Sequence, residues 1–281
     1  MPVKNTPGRT YLMEDQDEGK RLELKTDIEA VKRQAAWAGI GPGMRVLDVG
    51  CGMGITTQAL AELVGAGGHV TGLDFSEERL VIARERYGSD HVSFVCHDIH
   101  NPYQSDQPYD AMWTRFFLEY FKAEQQQIIV HSIASLKPGG IACLADLDNN
   151  SLGHSGMSER LQQTLLDIMS RLEKDFNFDP YAGRRLYGYL YNLGFQEIAC
   201  TVEMHHLIYG EIEEKDNYNW QRKVEVAAQK SGCPFTAYGG NFEAFRHEVQ
   251  TFMNNPLRFT YTPLIIARGI KPTSSQQSEQ D

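Results

Sequence analysis

The chain is predicted to fold as a doubly wound, mostly parallel α/β sheet with a late antiparallel strand and a helical cap insertion. Apolar runs of strand length alternate with amphipathic runs of helix length from Arg45 to Leu147, the pattern of strand and crossover helix that builds a parallel sheet. The stretch Val46 to Gly54, VLDVGCGMG, ends the first strand in glycines at alternate positions and passes directly into a helix, a turn in which the main chain is open to close approach. Late in the chain, FQEIACTVEMHHLIY and RFTYTPLIIARG read as neighbouring strands. The segment between them is far longer than an ordinary strand connection.

Taken in order, Thr26 and Glu29 form a capping box for a helix carrying Ile28, Val31, Ala35 and Ala38 on one side, closed by Gly39 and Pro42. The periodicity then predicts a strand over 45–49, a helix over 55–64, a strand over 69–74, a helix over 77–87 and a strand over 92–97. A strand over 109–114, a helix over 123–136 and a strand over 141–147 follow. Residues between 97 and 109, around Pro102 and Pro108, leave no room for a full crossover helix and are expected to be irregular. After the loop DNNSLGHSG, a long helix from Ser158 aligns Leu161, Leu165, Ile168 and Leu172, and a second, Arg184 to Leu193, stops at Gly194. The organisation expected is an arm over 1–25, an α/β core over 26–209, a helical cap over 210–256, a final core strand over 257–270 and a polar, disordered tail over 271–281. Within the cap, Trp220, Val224 and Ala227, then Phe242, Phe245, Val249 and Phe252, fall at helical spacing. A segment so placed commonly covers the mouth of a site.

The 281 residues, 41% hydrophobic, suffice for one substantial core with an accessory region. A formal net charge of −10 without an offsetting basic block excludes a large phosphate-backbone footprint and docking on anionic lipid. Neither nucleic acid nor membrane is therefore expected as a partner. Five scattered cysteines, with no C-x-x-C pair, suggest neither a disulfide framework nor a zinc site. No apolar run approaches the roughly 18 residues of a membrane span, and a cytoplasmic protein is expected.

In a doubly wound sheet, ligands bind at the carboxyl ends of the strands where the winding reverses. Asp74 closes the second strand about 24 residues beyond Gly50, the offset at which a carboxylate meets a ribose hydroxyl pair. Asp98 closes the third, where it could accept from an exocyclic amine while the Ile99 N–H meets a ring nitrogen. Each has a plainer reading: Asp74 could start a helix through Ser76, and Asp98 could cap a turn before Asn101 and Pro102. The two together behind a glycine turn favour a nucleotide-type site. The dinucleotide fingerprint G-x-G-x-x-G is not met, since its sixth position is Ile55, and there is no P-loop. Here G-x-G-x-G follows an acidic Asp48 inside the strand, which suits a cationic ammonium or sulfonium better than a pyrophosphate.

At this point the sequence resembles the class I S-adenosylmethionine-dependent methyltransferases, whose sheet is Rossmann-like. The resemblance runs from about Arg45 to Leu147 and rests on VLDVGCGMG, VTGLDFS, VSFVCHDIH, YDAMWTRFFLEYF and LKPGG in that order. It implies S-adenosyl-L-methionine as cofactor, with Gly50, Cys51 and Gly52 against its amino-acid part, Asp74 on the ribose hydroxyls, Phe75 beside the adenine, and Asp98 with Ile99 at the adenine edge. It further implies that Thr114 meets the ammonium through its carbonyl, that SLKPGG turns into the fifth strand, and that Tyr11, in YLMEDQDEGKRL, closes over the cofactor. TRFFLEY looks most like the small-molecule ubiquinone and menaquinone methyltransferases, and departs from those that carry a histidine pair near Glu119 and Tyr120. Nucleic-acid amino-methyltransferases carry N/D-P-P-Y/F where this chain has TRFF.

The function so implied is methyl transfer to an O, N or C atom of a small molecule, with a homodimer left open. The alternatives are a non-catalytic adenosyl-ligand module with a protein partner, and an NAD-dependent oxidoreductase. No catalytic residue is assigned. By position His154 is placed best for a general base and His205 and His206 are expected on opposite faces of their strand, but an ordinary packed or surface histidine is the favoured reading of each. Asp146 and Asp148 could orient an acceptor or equally solvate a strand end.

Overall fold

The computed structural model describes residues 27–273. The alternating half of the chain forms α1 (Ile28–Ala38), β1 (Arg45–Val49), α2 (Ile55–Val64), β2 (His69–Asp74), α3 (Glu77–Tyr87), β3 (Val92–Cys96), β4 (Tyr109–Arg115), α4 (Gln125–Ser132) and β5 (Leu136–Leu147). There follow β6 (His154–Ser155), α5 (Glu159–Asp175), α6 (Leu186–Asn192), β7 (Gln196–Tyr209), α7 (Glu214–Ser231), α8 (Phe242–Met253) and β8 (Phe259–Ile270). One eight-stranded sheet runs β3-β2-β1-β4-β5-β8-β6, with β7 paired to β8. β1 to β5 are mutually parallel, and β8 is antiparallel to β5, from Ile141↔Ile270 to Leu147↔Leu264. The winding reverses between β1 and β4, which opens a crevice at their carboxyl ends.

Helices on both faces bury the apolar runs. Val31, Ala35, Ala59 and Leu60 of α1 and α2 pack on Val46, Trp113, Cys143 and Ile266. On the other face, Ile128 and Ile129 of α4 and Leu186 and Leu190 of α6 pack on Leu47, Met112 and Leu144. Burial on both faces is why β1 and β4 read as near-continuous apolar runs.

Several local expectations change. Asp27, not Thr26, caps α1, accepting from the Ala30 N–H at 3.0 Å; Thr26 lies outside the described residues. The helix expected over 123–136 is confined to α4, and the LKPGG segment is not a turn but the first part of β5. It enters through a register shift against β4 between Tyr109 and Ala111, with Gly139 at φ 76°. Pro138 has no N–H to give a regular ladder, and the glycine absorbs the left-handed backbone.

The long helix α5 does not lie on the sheet. Its Leu161, Leu165, Ile168 and Leu172 join Trp220, Val224 and Ala227 of α7 and Phe245, Val249 and Phe252 of α8 in a separate apolar cluster. The helical layer is therefore assembled from segments on either side of β7 in the chain.

Candidate active site

The glycine turn after β1 is held by β2. The N–H groups of Gly50 and Cys51 donate to the Leu73 carbonyl at 2.8 and 2.9 Å, and Gly52 N–H donates to Asp74 Oδ2 at 2.9 Å. Gly50, Gly52 and Gly54 have φ of 77°, 54° and 86°, left-handed values that other residues adopt at a cost. What comes close to this backbone is in part aromatic. A Cβ on Gly50 would run into the ring of Phe117, and one on Gly54 would meet Phe94 at 2.8 Å. Gly52 faces open space, so the turn is packed at both ends and accessible in the middle.

Asp74 both clasps this turn and starts α3. Its Oδ1 accepts from the Ser76 N–H at 2.9 Å, and Ser76 Oγ accepts from the Arg79 N–H at the first turn of α3. The helix-starting role leaves room for a ligand-facing one, since a carboxylate has lone pairs beyond those two bonds. Phe75 beside it is 54% exposed, a free aromatic face at the rim. The adjoining strand end brings in Asp98, whose Oδ1 accepts from the His100 N–H at 3.1 Å and pairs with its Nδ1 at 2.7 Å. Ile99 is buried, its carbonyl bonded to His131 Nδ1 at 2.9 Å. Rings connect the two ends of the crevice: Phe117 meets Phe121 at 4.9 Å, and Phe121 meets His100 at 5.6 Å. Gly50, Cys51, Gly52, Asp74, Phe75, Asp98, Ile99 and Thr114 are thereby gathered at one edge of the sheet, Thr114 beside Val49 on the neighbouring strand. Tyr11 lies outside the described residues.

Beneath the turn the electrostatics are acidic. Asp48 is buried and accepts from Thr57 Oγ1 at 2.7 Å; burial raises its carboxyl to about 7, with Asp74 adding to the rise and Thr57 opposing it. Burial lowers Arg115 to about 10, and its guanidinium stacks 3.9 Å from the ring centroid of Phe116. Phe116 itself sits at φ 54°, an unfavourable conformation for an aromatic residue that turns the chain sharply at the end of β4.

That turn is pinned from β5. Asp146 Oδ2 accepts from the N–H groups of Phe117 and Glu119, both at 3.2 Å, and burial, then the Glu119 charge, holds the Asp146 carboxyl well above its ordinary range. Asp146 is thus committed to the backbone of this turn, and Asp148 to Arg184, at 2.7 and 3.0 Å. Glu119 is buried and accepts from Asn150 Nδ2 at 2.7 Å, while Lys223 of α7 donates to Asn150 Oδ1 at 2.6 Å. Burial raises the Glu119 carboxyl, and the Lys223 charge opposes the rise. A chain of polar contacts therefore runs from the end of β4 to the helical layer.

Of the histidines, His154 takes the packed reading, and only the placement expected for His205 and His206 fails. His154 is packed against Trp220 and Phe252, with Nε2 donating to the Ser151 carbonyl at 3.2 Å and Nδ1 accepting from Thr260 Oγ1 at 2.9 Å. Burial lowers it to about 4, so it is a neutral packing residue whose two nitrogens are engaged. His205 and His206 do not point to opposite faces: a bulge lies between Met204↔Pro263 and His206↔Thr262, and the two rings stand 4.2 Å apart. An extra residue in a strand cancels the two-residue alternation on which the expectation rested. Phe117, His100, Glu119, Asn150 and Lys223 were not singled out by sequence as site residues. Only the paired aromatics directly after β4 offered a local signal.

Asp48 has a measurable consequence. Its carboxyl rises from 3.8 to about 7 on folding, so the folded state binds the proton more tightly. The stability this supplies is complete below about pH 4 and is lost as pH rises through 7. Asp48→Asn, which keeps an oxygen for Thr57, is expected to flatten that decline and to exceed the parent by roughly 2–4 kcal/mol above pH 7. Denaturant melts from pH 5 to 8.5 check this; parallel curves for the two proteins would show that Asp48 carries no such penalty.

The strand order, the glycine turn at the switch point and the acidic strand ends define the class I methyltransferase fold. Residues 46–140 match the family model described as a methyltransferase domain. Among curated proteins, demethylmenaquinone methyltransferase of Staphylococcus aureus (strain MRSA252) is 32% identical over 142 residues, 46% of this chain and 57% of its own length. Protein-L-isoaspartate O-methyltransferase of Thermotoga maritima is 30% identical over 112 residues, 37% of this chain and 35% of its own. The chain thus spans about half or less of the length of these relatives. Among solved structures, phosphoethanolamine N-methyltransferase 2 of Haemonchus contortus in complex with S-adenosyl-L-methionine has a TM-score of 0.53 at 17% identity, over 87% of this chain and 53% of that one. The [4+2]-cyclase SpnF has a TM-score of 0.52 at 21% identity, over 95% of this chain and 86% of that one. These likenesses concern the fold. The chain carries a methyltransferase domain; among its described residues no helix is long and apolar enough to cross a membrane, and no group of side chains is placed to hold a metal ion.

Proposed function

We propose that this protein transfers the methyl group of S-adenosylmethionine to an O, N or C atom of a small molecule held between the crevice and the helical layer. The observation that carries the reading is the open Gly52 beside Asp74, at the switch point of the sheet. The residues fit the cofactor: the turn admits a ligand against bare backbone, and Asp48 and Asp74 lie in each other's electrostatic range, favouring a sulfonium and an ammonium over a pyrophosphate. When bound, S-adenosylmethionine supplies an electrophilic methyl group, so the protein's share is alignment and a dry site.

In this reading Asp74 receives the ribose hydroxyls, Phe75 gives its exposed face to the adenine, Asp98 and Ile99 meet the adenine edge, and Gly50 to Gly52 with the Thr114 carbonyl bound the amino-acid end. The arm carrying Tyr11 joins the described chain at Asp27, within electrostatic range of Arg115, which supports Tyr11 as a closing residue. α7 and α8 cover the acceptor side, held to the core through Lys223, Asn150 and Glu119. The methyltransferase-domain match ends at residue 140, and the relatives' names denote acceptors as different as a quinone precursor and a protein, so acceptor choice is assigned to what surrounds that domain. The free Cys51, Cys96, Cys143, Cys200 and Cys233 support a reducing, cytoplasmic setting.

S-adenosylhomocysteine at about a hundredfold over its dissociation constant is expected to stabilise the fold by roughly 2.7 kcal/mol, with NAD giving no shift. Thermal melts with each ligand test this. Stabilisation by NAD and none by the adenosyl ligand would overturn the assignment.

A further inference from the structure

The β7–β8 pair continues past the end of β5. β5 stops at Leu147, opposite Leu264, while β8 remains paired to β7 back to Tyr209↔Phe259. One face of this projecting ribbon is covered: Ile208 belongs to the cluster of the helical layer, and Thr260 and Thr262 are buried. Lower on that side, Glu203 faces α1, accepting from Gln34 Nε2 at 2.8 Å. The opposite face carries Val202, Met204, Leu207 and Tyr209 from β7, set against Ile265, Pro263, Tyr261 and Phe259 of β8 in register. The bulge at His205 keeps all four β7 residues on that side. α6 covers the sheet below, through Leu186 and Leu190 in one cluster with Ala267. Val202, Met204, Leu207, Tyr209 and Phe259 are between 43% and 66% exposed, and none of the eight residues is charged.

We propose that this face is the interface of a two-fold symmetric dimer of this chain. β6 takes the other edge of β8 here, at His154↔Thr260 and Ser155↔Phe259, and the helical layer covers one face; among the described residues the other face is left as a contiguous apolar patch open to water. The bare side chains present on the order of 600 Å² of apolar surface, at the upper end of the patches monomers expose and close to the ~800 Å² that each partner contributes to a stable interface. Identical copies meeting through a charged face would oppose like charges; an uncharged strand face meets its own copy without that penalty. A bilayer is a poorer occupant, since the face offers no cation to a headgroup and the chain carries a net charge of −10. In the dimer the two ribbons stack face to face, each between its own helical layer and the other copy. This inference does not depend on the methyl-transfer reading.

Sedimentation velocity of the full chain at roughly 10–100 µM, where an interface of standard size is populated, is expected to give twice the mass of one chain. The double variant Met204→Glu/Leu207→Glu places four carboxylates in the buried patch of a dimer and is expected to sediment as a monomer. Both side chains are half exposed in one chain, so its circular dichroism is expected to match the parent. Tyr209→Ser, which removes a ring without adding charge, is expected to weaken association in the same direction. A parent that is monomeric throughout the range overturns the proposal, as does a double variant that stays dimeric, which would place association elsewhere. A monomeric parent that co-sediments with zwitterionic phosphatidylcholine vesicles would reassign the face to lipid.

Discussion

Alanine in place of Asp74 is expected to weaken S-adenosylhomocysteine binding by roughly ten- to a hundredfold, the equivalent of about 1.5–3 kcal/mol for lost charge-assisted hydrogen bonds. The loss has two sources. The ribose would forfeit its acceptor, and the Gly52 N–H, now held at 2.9 Å by Oδ2, would be freed, so the glycine turn would no longer be preorganised. The same substitution removes the acceptor for the Ser76 N–H, and a fall in melting temperature is expected alongside. Asp74→Asn separates these effects, because its single carbonyl oxygen can hold one backbone N–H but not also two hydroxyls; it is expected to recover stability more than affinity. Calorimetric titration of all three proteins decides. Equal affinities would leave Asp74 as a helix-starting residue alone.

Lys223→Met is expected to loosen the helical layer while leaving S-adenosylhomocysteine affinity within about twofold. Lys223 joins α7 to Asn150, and Asn150 to the buried Glu119. Without the ammonium, Glu119 loses the charge that opposes its burial, and destabilisation of about 1–3 kcal/mol is expected for a partly exposed member of a buried polar chain. Amide hydrogen exchange in α7 and α8 is expected to accelerate while that of β1 and β4 stays slow, because the sheet has its own clusters. Unchanged exchange in α7 would show that the layer is held by its apolar contacts alone. Replacing the whole 210–256 segment is a poorer test of a lid, since it would strip α5 of the partners that bury Leu161, Leu165, Ile168 and Leu172.

The sequence by itself determined the features that depend on near neighbours. β1, β2, α2 and α3 begin and end where their apolar periods and the glycines of 50–54 place them, because side-chain alternation, helical spacing and left-handed turns are set within a few residues. The acidic ends of β2 and β3 were legible for the same reason: once parallel winding is inferred, Asp74 and Asp98 must fall at the carboxyl edge of the sheet. The tertiary structure alone decided what those residues touch. That Asp74 holds Gly52, that Phe117 lies on Gly50, and that Glu119, Asn150 and Lys223 form one chain are matters of contact between segments far apart in sequence, which periodicity cannot report. The bulge at His205 shows the limit most sharply. One inserted residue leaves the composition of β7 untouched yet turns every later side chain to the other face, so the apolar stripe from Val202 to Tyr209 exists only in the register that β8 imposes. The same holds for α5, whose amphipathic face was plain in the sequence, whereas its burial against α7 and α8 instead of the sheet was a choice among apolar surfaces of similar chemistry, settled by where the chain could bring them together.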